Sequence, residues 1–148
     1  HGEAKPKEED PERGLTDRGR SEAAAVAKAL ARLGPSLAEI WHSGKKRAEQ
    51  TAAILAEALG AASRVKAHPG LDPDDPASRT AEELRRSAAN LAVVGHLPHL
   101  GRLLSLLLAG RESPEIFLLP GAGAVCLEQK EGSWQVRWFL TPETCSRA

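Results

Sequence analysis

Apolar residues in the first half of the chain recur at helical spacing in two stretches. In the first stretch, TDRGRSEAAAVAKALARLG, five apolar residues share one helical face: Ala23, Val26, Ala27, Leu30 and Leu33. Thr16 is a candidate N-cap for this helix, and the Gly34-Pro35 pair ends it. The second stretch, KKRAEQTAAILAEALG, carries a similar apolar stripe and stops at Gly60. The apolar-rich segment between them, LAEIWHS, predicts a short strand.

The second half of the chain continues this alternation and then changes character. RVKAHPGLDPDDPAS predicts a weak strand that runs into an acidic, proline-broken loop, and TAEELRRSAAN predicts a third helix. NLAVVGH is a continuous apolar run typical of a strand buried on both faces, and LPHLGRLLSLLLAG predicts a strongly apolar helix after it. AVCLEQKEGSWQVRWFL predicts two alternating strands joined at a turn that contains Gly132, which is a hairpin.

This order of elements predicts an α/β fold: a three-layer sandwich with a mainly parallel sheet, helices on both faces and a C-terminal hairpin. With 148 residues and no internal repeat, the chain suits a single domain over residues 1–148. Residues 1–15 contain no apolar run that could form a strand ahead of the first helix. We therefore expect the first strand of the sheet to precede His1 in the natural protein. That position would put His1 at the carboxyl end of a strand, where open α/β sheets bind ligands.

Composition narrows the choice of partners and compartment. The chain has twenty basic and twenty acidic residues, so its charge gives no general reason to expect nucleic acid or an anionic membrane as a partner. The longest apolar runs are too short to span a bilayer, and the first residues are charged and unlike a secretory signal. Cys126 and Cys145 lie far apart without CxxC spacing, which argues against a zinc or redox site. A disulfide between them is one interpretation of the sequence. The preferred interpretation is two reduced thiols in a cytoplasmic protein.

Three stretches carry the candidate chemistry: HGEA, SGKKRAEQT and VVGHLPHLG. Each lies where an expected strand ends and a helix or loop begins. Because the carboxyl ends of parallel strands share one edge of a sheet, we expect His1, Arg47 and His96 to converge. Arg47 lies in the first turn of a helix, whose free N–H groups favour anions, and its planar guanidinium suits two phosphoryl oxygens. Two histidines, an arginine and a helix N-terminus describe a phosphate pocket with a potential nucleophile.

The segments HGEA, RGLTDRG, SGKKRAEQT and VVGHLPHLG resemble, in order and spacing, the motifs of the histidine phosphatase superfamily, also called the phosphoglycerate-mutase-like fold. Within it, the short length and the paired RAEQT and GHLPHLG segments look most like the SixA-type phosphohistidine phosphatases. The resemblance runs over essentially the whole chain. The first motif of the family is arginine-histidine-glycine at the end of the first strand, and this chain supplies His1 and Gly2. The resemblance therefore implies that the natural protein has several more residues before His1, ending in arginine.

The resemblance implies a phosphatase in which His1 is the nucleophile that takes the phosphoryl group before water removes it. This role requires a neutral imidazole, and an unperturbed histidine with a pKa of ~6.5 is close to that state. Gly2 would let the backbone approach the phosphate, and Arg47 would clamp the phosphoryl oxygens. His96 would donate a hydrogen bond from the far side, and Arg13 would bind substrate in a weaker role. The resemblance implies no metal and no organic cofactor.

The substrate class rests on one departure from the family pattern. Mutases and many ester-cleaving relatives carry a glutamate general acid in a segment of the form leucine, any residue, glutamate, where this chain has GLDPDD with Pro73 at that position. Ester cleavage expels an alkoxide and benefits from an acid, whereas phosphohistidine can expel a neutral imidazole. The hypothesis is therefore a phosphatase that acts on phosphohistidine in a protein, although Asp72, Asp74 or Asp75 could substitute for the acid.

Two alternatives to this hypothesis stay open. One is a general phosphomonoesterase of the same fold that acts on small phosphate esters. The other is a phosphate- or phosphopeptide-binding module without catalysis. A metal site is a further interpretation of the sequence, because His96 and His99 have the spacing of an HxxH pair. Without a third ligand at suitable spacing, we expect His99 to be a partly exposed residue at the rim of the pocket.

Overall fold

Every helix and strand that the sequence predicts is present in the structure, a computed structural model that describes residues 1–147. The helices are α1 (Asp17–Leu33), α2 (Lys46–Ala58), α3 (Ala77–Arg86), α4 (His99–Ala109) and α5 (Pro142–Ser146). The strands are β1 (Glu39–His42), β2 (Val65–Ala67), β3 (Leu91–Val94), β4 (Ala124–Lys130) and β5 (Ser133–Leu140). The short helix α5 was not predicted, and it begins at a capping box formed by Thr141 and Thr144.

The first helix begins and ends at the predicted capping residues. The third helix has bounds that differ from the predicted range. The Thr16 side chain accepts a hydrogen bond from the backbone N–H of Gly19, and Gly34 ends α1 in the left-handed conformation with φ 63°. The predicted third helix ran from Thr80 to Asn90, but α3 spans Ala77–Arg86. It starts earlier because Pro76, whose φ of −61° is already close to the helical value, precedes its first residue.

The five strands form two sheets. The first is parallel, with the order β2-β1-β3, and Ile40 of β1 lies opposite Val65 and Ala92. The second is the antiparallel hairpin β4-β5, whose register shifts between Cys126 and Leu127. The α/β fold with a mainly parallel sheet, helices on both faces and a C-terminal hairpin is therefore confirmed.

Two apolar clusters form the core. In one, Ala48, Ala52 and Ala56 of α2 pack against Ile40 and Val94 of the parallel sheet. The small alanine side chains let the helix lie close to the strands. In the other, Ala77 and Ala81 of α3 pack against Leu103 and Leu107 of α4. These clusters hold α2 on the parallel sheet and join α3 to α4.

Strand β3 is less buried than its apolar sequence predicts. Val94 is buried, but Leu91, Ala92 and Val93 are only half-buried. The prediction that this strand is covered on both faces was wrong, because β3 also lines a cavity of about 1070 Å³ that extends to residues of β4.

Two further findings bear on the composition of the chain. Within residues 1–147, no helix combines the length and the apolar character needed to cross a membrane. Cys126 and Cys145 are both free thiols, so the disulfide that the sequence left open is not formed.

Candidate active site

Three predicted site residues that are distant in sequence meet at one end of the parallel sheet. His1 lies ahead of α1, Arg47 lies in the first turn of α2, and His96 follows β3. Arg47 Nε lies 3.3 Å from His1 Nε2. The two imidazole rings meet edge to face, with their centroids 4.8 Å apart. The structure therefore brings His1, Arg47 and His96 into one group, at the edge where the strand order predicted them.

The backbone and side chain of His1 are both held in place. Its α-amino nitrogen donates to the carbonyl of Gly95 at 3.1 Å, and its own carbonyl accepts from the N–H of Ala122 at 2.9 Å. The ring Nδ1 lies 2.7 Å from the carbonyl oxygen of Gly2. Because a carbonyl only accepts, Nδ1 must carry the proton, and the lone pair is then on Nε2, beside Arg47.

His96 is buried and presents one nitrogen without a partner. Ser43 Oγ lies 2.6 Å from His96 Nε2 and also accepts from the N–H of Lys45 at 3.4 Å. The Ser43 hydroxyl can donate its proton to Nε2, and in that tautomer the ring proton of His96 is on Nδ1. Within residues 1–147, His96 Nδ1 is buried and has no hydrogen-bond partner. A buried N–H without an acceptor is costly, so this atom is suited to a bound oxygen.

Charge around His96 favours the neutral imidazole. Burial and, to a smaller extent, the positive charge of Arg47 lower the pKa of His96 to about 3. Burial also lowers the pKa of Arg47, and the neighbouring charge of Arg13 adds to this effect. Two guanidinium groups that repel each other next to a buried donor form a site with unbalanced positive charge, which suits an anion.

Gly2 is buried, and its lack of a side chain is explained by helix α1. A Cβ atom at Gly2 would lie 2.6 Å from the carbonyl oxygen of Gly19. The N–H of Gly2 donates to Thr51 Oγ1 at 3.1 Å, and Thr51 in turn donates to the carbonyl of Arg47 at 2.7 Å. The sequence interpretation placed Gly2 against the phosphate. In the structure, its close neighbours are Gly19 at the start of α1 and Thr51 in the second turn of α2.

Arg13 lies at the edge of a shallow basic depression next to Arg47. It is half-buried at a left-handed φ of 54°, and its Nε donates to the carbonyl of Lys5 at 3.1 Å. The depression has a volume of about 470 Å³, and its charged lining residues are Lys7, Glu12, Arg13, Lys45, Lys46, Arg47 and Glu49. Among the described residues, no carboxylate forms an ion pair with Lys7 or Arg13. The depression therefore extends the positive charge of the site toward solvent.

Comparison with known sequences gives one family match, over the first part of the chain. Residues 1–73 match the profile of the histidine phosphatase superfamily (branch 1). The resemblance to the histidine phosphatase superfamily is confirmed. No curated protein matches the chain by sequence.

Solved structures of the histidine phosphatase fold resemble the whole chain. The protein histidine phosphatase SixA, solved with tungstate, has 25% identity and a TM-score of 0.84, over 97% of this chain and 94% of that chain. A SixA protein from Agrobacterium tumefaciens has 22% identity and a TM-score of 0.78, over 96% of this chain and 94% of that one. A phosphoglycerate mutase from Plasmodium falciparum has 20% identity and a TM-score of 0.68, over 84% of each chain. Together with the family match, these similarities support phosphatase activity.

The structure corrects the prediction for His99. This residue is fully buried rather than partly exposed at the rim. Its Nδ1 donates to the carbonyl of Asp75 at 3.0 Å, and its Nε2 lies 3.3 Å from Thr80 Oγ1. His99 therefore ties α4 to the acidic loop and to α3. Among residues 1–147, no group of three or more histidine, cysteine or acidic side chains is placed to hold a metal ion.

Three residues of the candidate site were not predicted from the sequence: Ser43, Gln50 and Thr51. Gln50 Oε1 accepts from the N–H of Leu15 at 2.8 Å, and so joins α2 to the residue before the α1 cap. The sequence feature that could have identified Gln50 and Thr51 is their spacing. They follow Arg47 by three and four residues, so all three side chains lie on one face of α2. Ser43 gave no such signal, because its partner His96 lies in the loop after another strand, β3.

Proposed function

We propose that the chain is a phosphatase that forms a phosphohistidine on His1 and removes phosphate from phosphohistidine in a protein. The observation that carries this proposal is the orientation of the His1 ring. Its Nδ1–H donates to the carbonyl of Gly2, so the lone pair is on Nε2, which accepts a hydrogen bond from Arg47 Nε–H. A guanidinium at 3.3 Å from that nitrogen can bind the phosphoryl oxygens as the lone pair reaches phosphorus.

The proposed reaction has two displacement steps at phosphorus. In the first, the lone pair of His1 Nε2 forms a bond to phosphorus while the bond from phosphorus to the leaving nitrogen of the substrate breaks. The electron pair stays on that nitrogen, and the leaving imidazole is neutral because its other nitrogen carries a proton. In the second, water attacks phosphorus, the bond to Nε2 breaks, and both protons of the water leave with inorganic phosphate. His1 returns to its starting protonation state.

Arg47 and His96 stabilise the transferring group from different directions. The phosphoryl oxygens are negative throughout, and fixed donors aimed at them lower the barrier because they need no rearrangement during the reaction. Arg47 supplies a planar pair of donors, and the unpartnered Nδ1–H of His96 supplies another from a buried position. Arg13 binds the substrate more weakly, through its charge at the depression, and Gly2 acts through the backbone carbonyl that fixes the His1 ring.

The acidic loop supports phosphohistidine as the substrate in preference to an ester. An ester phosphatase needs a general acid near the leaving oxygen. The charge of Asp72 partly opposes the lowering of the Arg47 pKa by burial and by Arg13, but its carboxylate is paired with Lys45 Nζ at 3.3 Å. This carboxylate is therefore already engaged in an ion pair with a lysine. The similarity to proteins named as histidine phosphatases also supports this substrate class.

The test is a comparison of kcat/KM for two substrates with the full-length protein. One substrate is a protein phosphorylated on histidine, and the other is p-nitrophenyl phosphate. The matched variant is Asp72→Asn. It keeps the size of the side chain and removes the carboxyl group that a general acid would need. We expect phosphohistidine to be preferred by at least about 10²-fold and the variant to retain both activities within about threefold.

Three outcomes would contradict the proposal in different ways. Equal kcat/KM for the two substrates would indicate a general phosphomonoesterase. A selective loss of ester cleavage in Asp72→Asn, with the ester as the better substrate, would identify Asp72 as the general acid of an ester phosphatase. Binding of inorganic phosphate without phosphate release from either substrate would indicate a binding module.

A further inference from the structure

A buried histidine, His42, stands directly before the loop that joins β1 to α2. It is the last residue of β1 and is 6% exposed. Ser43 follows it and contacts His96, and Arg47 lies in the first turn of the helix after the loop. The phosphatase steps proposed above do not use His42. Its position nevertheless connects the parallel sheet to the residues that those steps do use.

The His42 ring closes a turn at the start of this loop. Its Nδ1 accepts a hydrogen bond from the backbone N–H of Gly44, two residues further on, at 3.1 Å. Asparagine and aspartate make the same bond with a side-chain oxygen in an Asx turn, and Nδ1 of histidine is in the same place along its side chain as Oδ1 of asparagine. Gly44 has a left-handed φ of 88°, which glycine adopts without strain. Because Nδ1 accepts, neutral His42 carries its ring proton on Nε2.

Ser43 lies inside this turn, and the turn determines where its hydroxyl group is. The carbonyl of His42 accepts from the N–H of His68 at 2.8 Å, and the N–H of Gly44 is held by the His42 ring, so the backbone is fixed on both sides of Ser43. The Ser43 side chain has one rotatable bond between backbone and oxygen, so the backbone largely sets the position of Oγ. That oxygen lies 2.6 Å from His96 Nε2.

We propose that His42 is a positioning residue for the phosphate site. By holding the Gly44 turn, it keeps Ser43 Oγ where its proton is donated to His96 Nε2, and the ring proton of His96 is then on Nδ1. This Nδ1 is the buried nitrogen that has no partner within residues 1–147. The expected effect on the reaction rate rests on the proposed function, whereas the effect on the His96 ring is measured without substrate.

Two substitutions of His42 separate its hydrogen bond from the rest of the side chain. His42→Asn supplies an acceptor that can form the same turn. His42→Leu has the branched shape of asparagine and no acceptor, so the two variants form a matched pair. Ser43→Ala leaves the His42 acceptor in place and removes the hydroxyl group that contacts His96. It provides a second test of the same connection if His42→Leu does not fold, as judged by its thermal midpoint.

The first readout is the protonation of each His96 ring nitrogen, from ¹H–¹⁵N correlation spectra of the histidine side chains near pH 7. His96 is neutral at this pH, because its pKa is about 3, so the spectra report its tautomer. His96→Gln identifies which signals belong to this ring. The second readout is kcat and KM for a protein phosphorylated on histidine.

We expect the unchanged chain and His42→Asn to carry the His96 proton on Nδ1, with kcat in the variant within about threefold. In His42→Leu and Ser43→Ala, the proton should be shared between Nδ1 and Nε2. His42→Leu should lower kcat by roughly 10–10²-fold and change KM by less than about threefold, because the displaced donor acts on the transferring phosphoryl group.

Three results would overturn the proposal. One is a His96 proton on Nε2 in the unchanged chain. Another is an unchanged His96 tautomer in His42→Leu or Ser43→Ala, since His42 would then act on stability alone. The third is an equal loss of kcat in His42→Asn and His42→Leu, because the acceptor would then make no difference. If the unchanged chain releases no phosphate, the proposed function fails, and the His96 spectra still decide whether His42 positions this ring.

Discussion

The end of the molecule that carries the histidines and the region directly beneath it are held together in different ways. At the site end, His1, Ser43, Arg47 and His96 are fixed by directional hydrogen bonds to one another or to nearby backbone. Beneath them, apolar side chains of α1 and α4 face a cavity of about 1070 Å³ that extends between the sheets. The site geometry therefore depends on polar contacts, whereas stability depends on the part of the core that is filled.

This difference predicts that the cost of removing an apolar side chain depends on which side of the parallel sheet it faces. Ile40 is fully buried in the cluster between β1 and α2, so Ile40→Ala should lower the free energy of unfolding by about 2–5 kcal/mol. Val93 is half-buried and lines the cavity, so Val93→Ala should cost about 1 kcal/mol or less. Urea unfolding measures both values. Equal losses of unfolding free energy in the two variants would show that Val93 is packed against other groups in solution and does not face a cavity.

At the site end, we expect activity and stability to separate. Arg47→Ala should lower kcat/KM by roughly 10²–10³-fold, because it removes a donor to the charged phosphoryl oxygens. The free energy of unfolding should change by less than about 1 kcal/mol, since Arg47 forms no ion pair among the described residues and burial already disfavours its charge. Lys46→Ala is the matched control. Lys46 is next to Arg47 in the sequence, but its side chain pairs with Glu12 at 3.6 Å on an exposed surface. A similar loss of kcat/KM in both variants would contradict a specific role for Arg47 in catalysis.

A smaller effect is expected in the pH dependence of stability. The pKa of His96 is about 3 in the folded protein and ~6.5 when unfolded, so between these values the unfolded chain binds a proton that the folded chain does not. Protonation then favours unfolding, and the contribution of His96 is lost as the pH falls below ~6.5. The slope from this one group is about 1.4 kcal/mol per pH unit. His96→Gln removes it, so unfolding free energies of the two proteins should converge toward low pH. Parallel curves would contradict a buried, neutral His96.

Local pattern and strand order were enough to predict most of the fold and the meeting of the three site residues. The Thr16 cap, the end of α1 at Gly34 and the terminal hairpin all follow from signals within a few residues. The grouping of His1 with Arg47 followed from a rule about parallel strands. Contacts between distant elements could not be predicted in this way. The apolar sequence of β3 does not reveal what lies on its far edge, and the burial of His99 depends on the carbonyl of Asp75 in another loop.

The pairing of Ser43 with His96 shows the same limit in the site itself. Both residues lie in segments that the sequence placed at strand ends. The tautomer of His96 and its unpartnered Nδ1, however, cannot be predicted from a sequence. These features arise from the distance between two side chains in the loops that follow the adjacent strands β1 and β3. They are also the features that give His96 a specific role in the proposed chemistry.

The most direct test of the central claim is to map the phosphoryl group on the enzyme during a single turnover of a phosphohistidine protein. We expect an acid-labile label on His1 that forms and decays at the rate of phosphate release. His1→Ala should show no label and no release above the buffer rate, with the unchanged chain as the positive control. Phosphate release at the normal rate without a label on His1, or activity that survives in His1→Ala, would contradict the account.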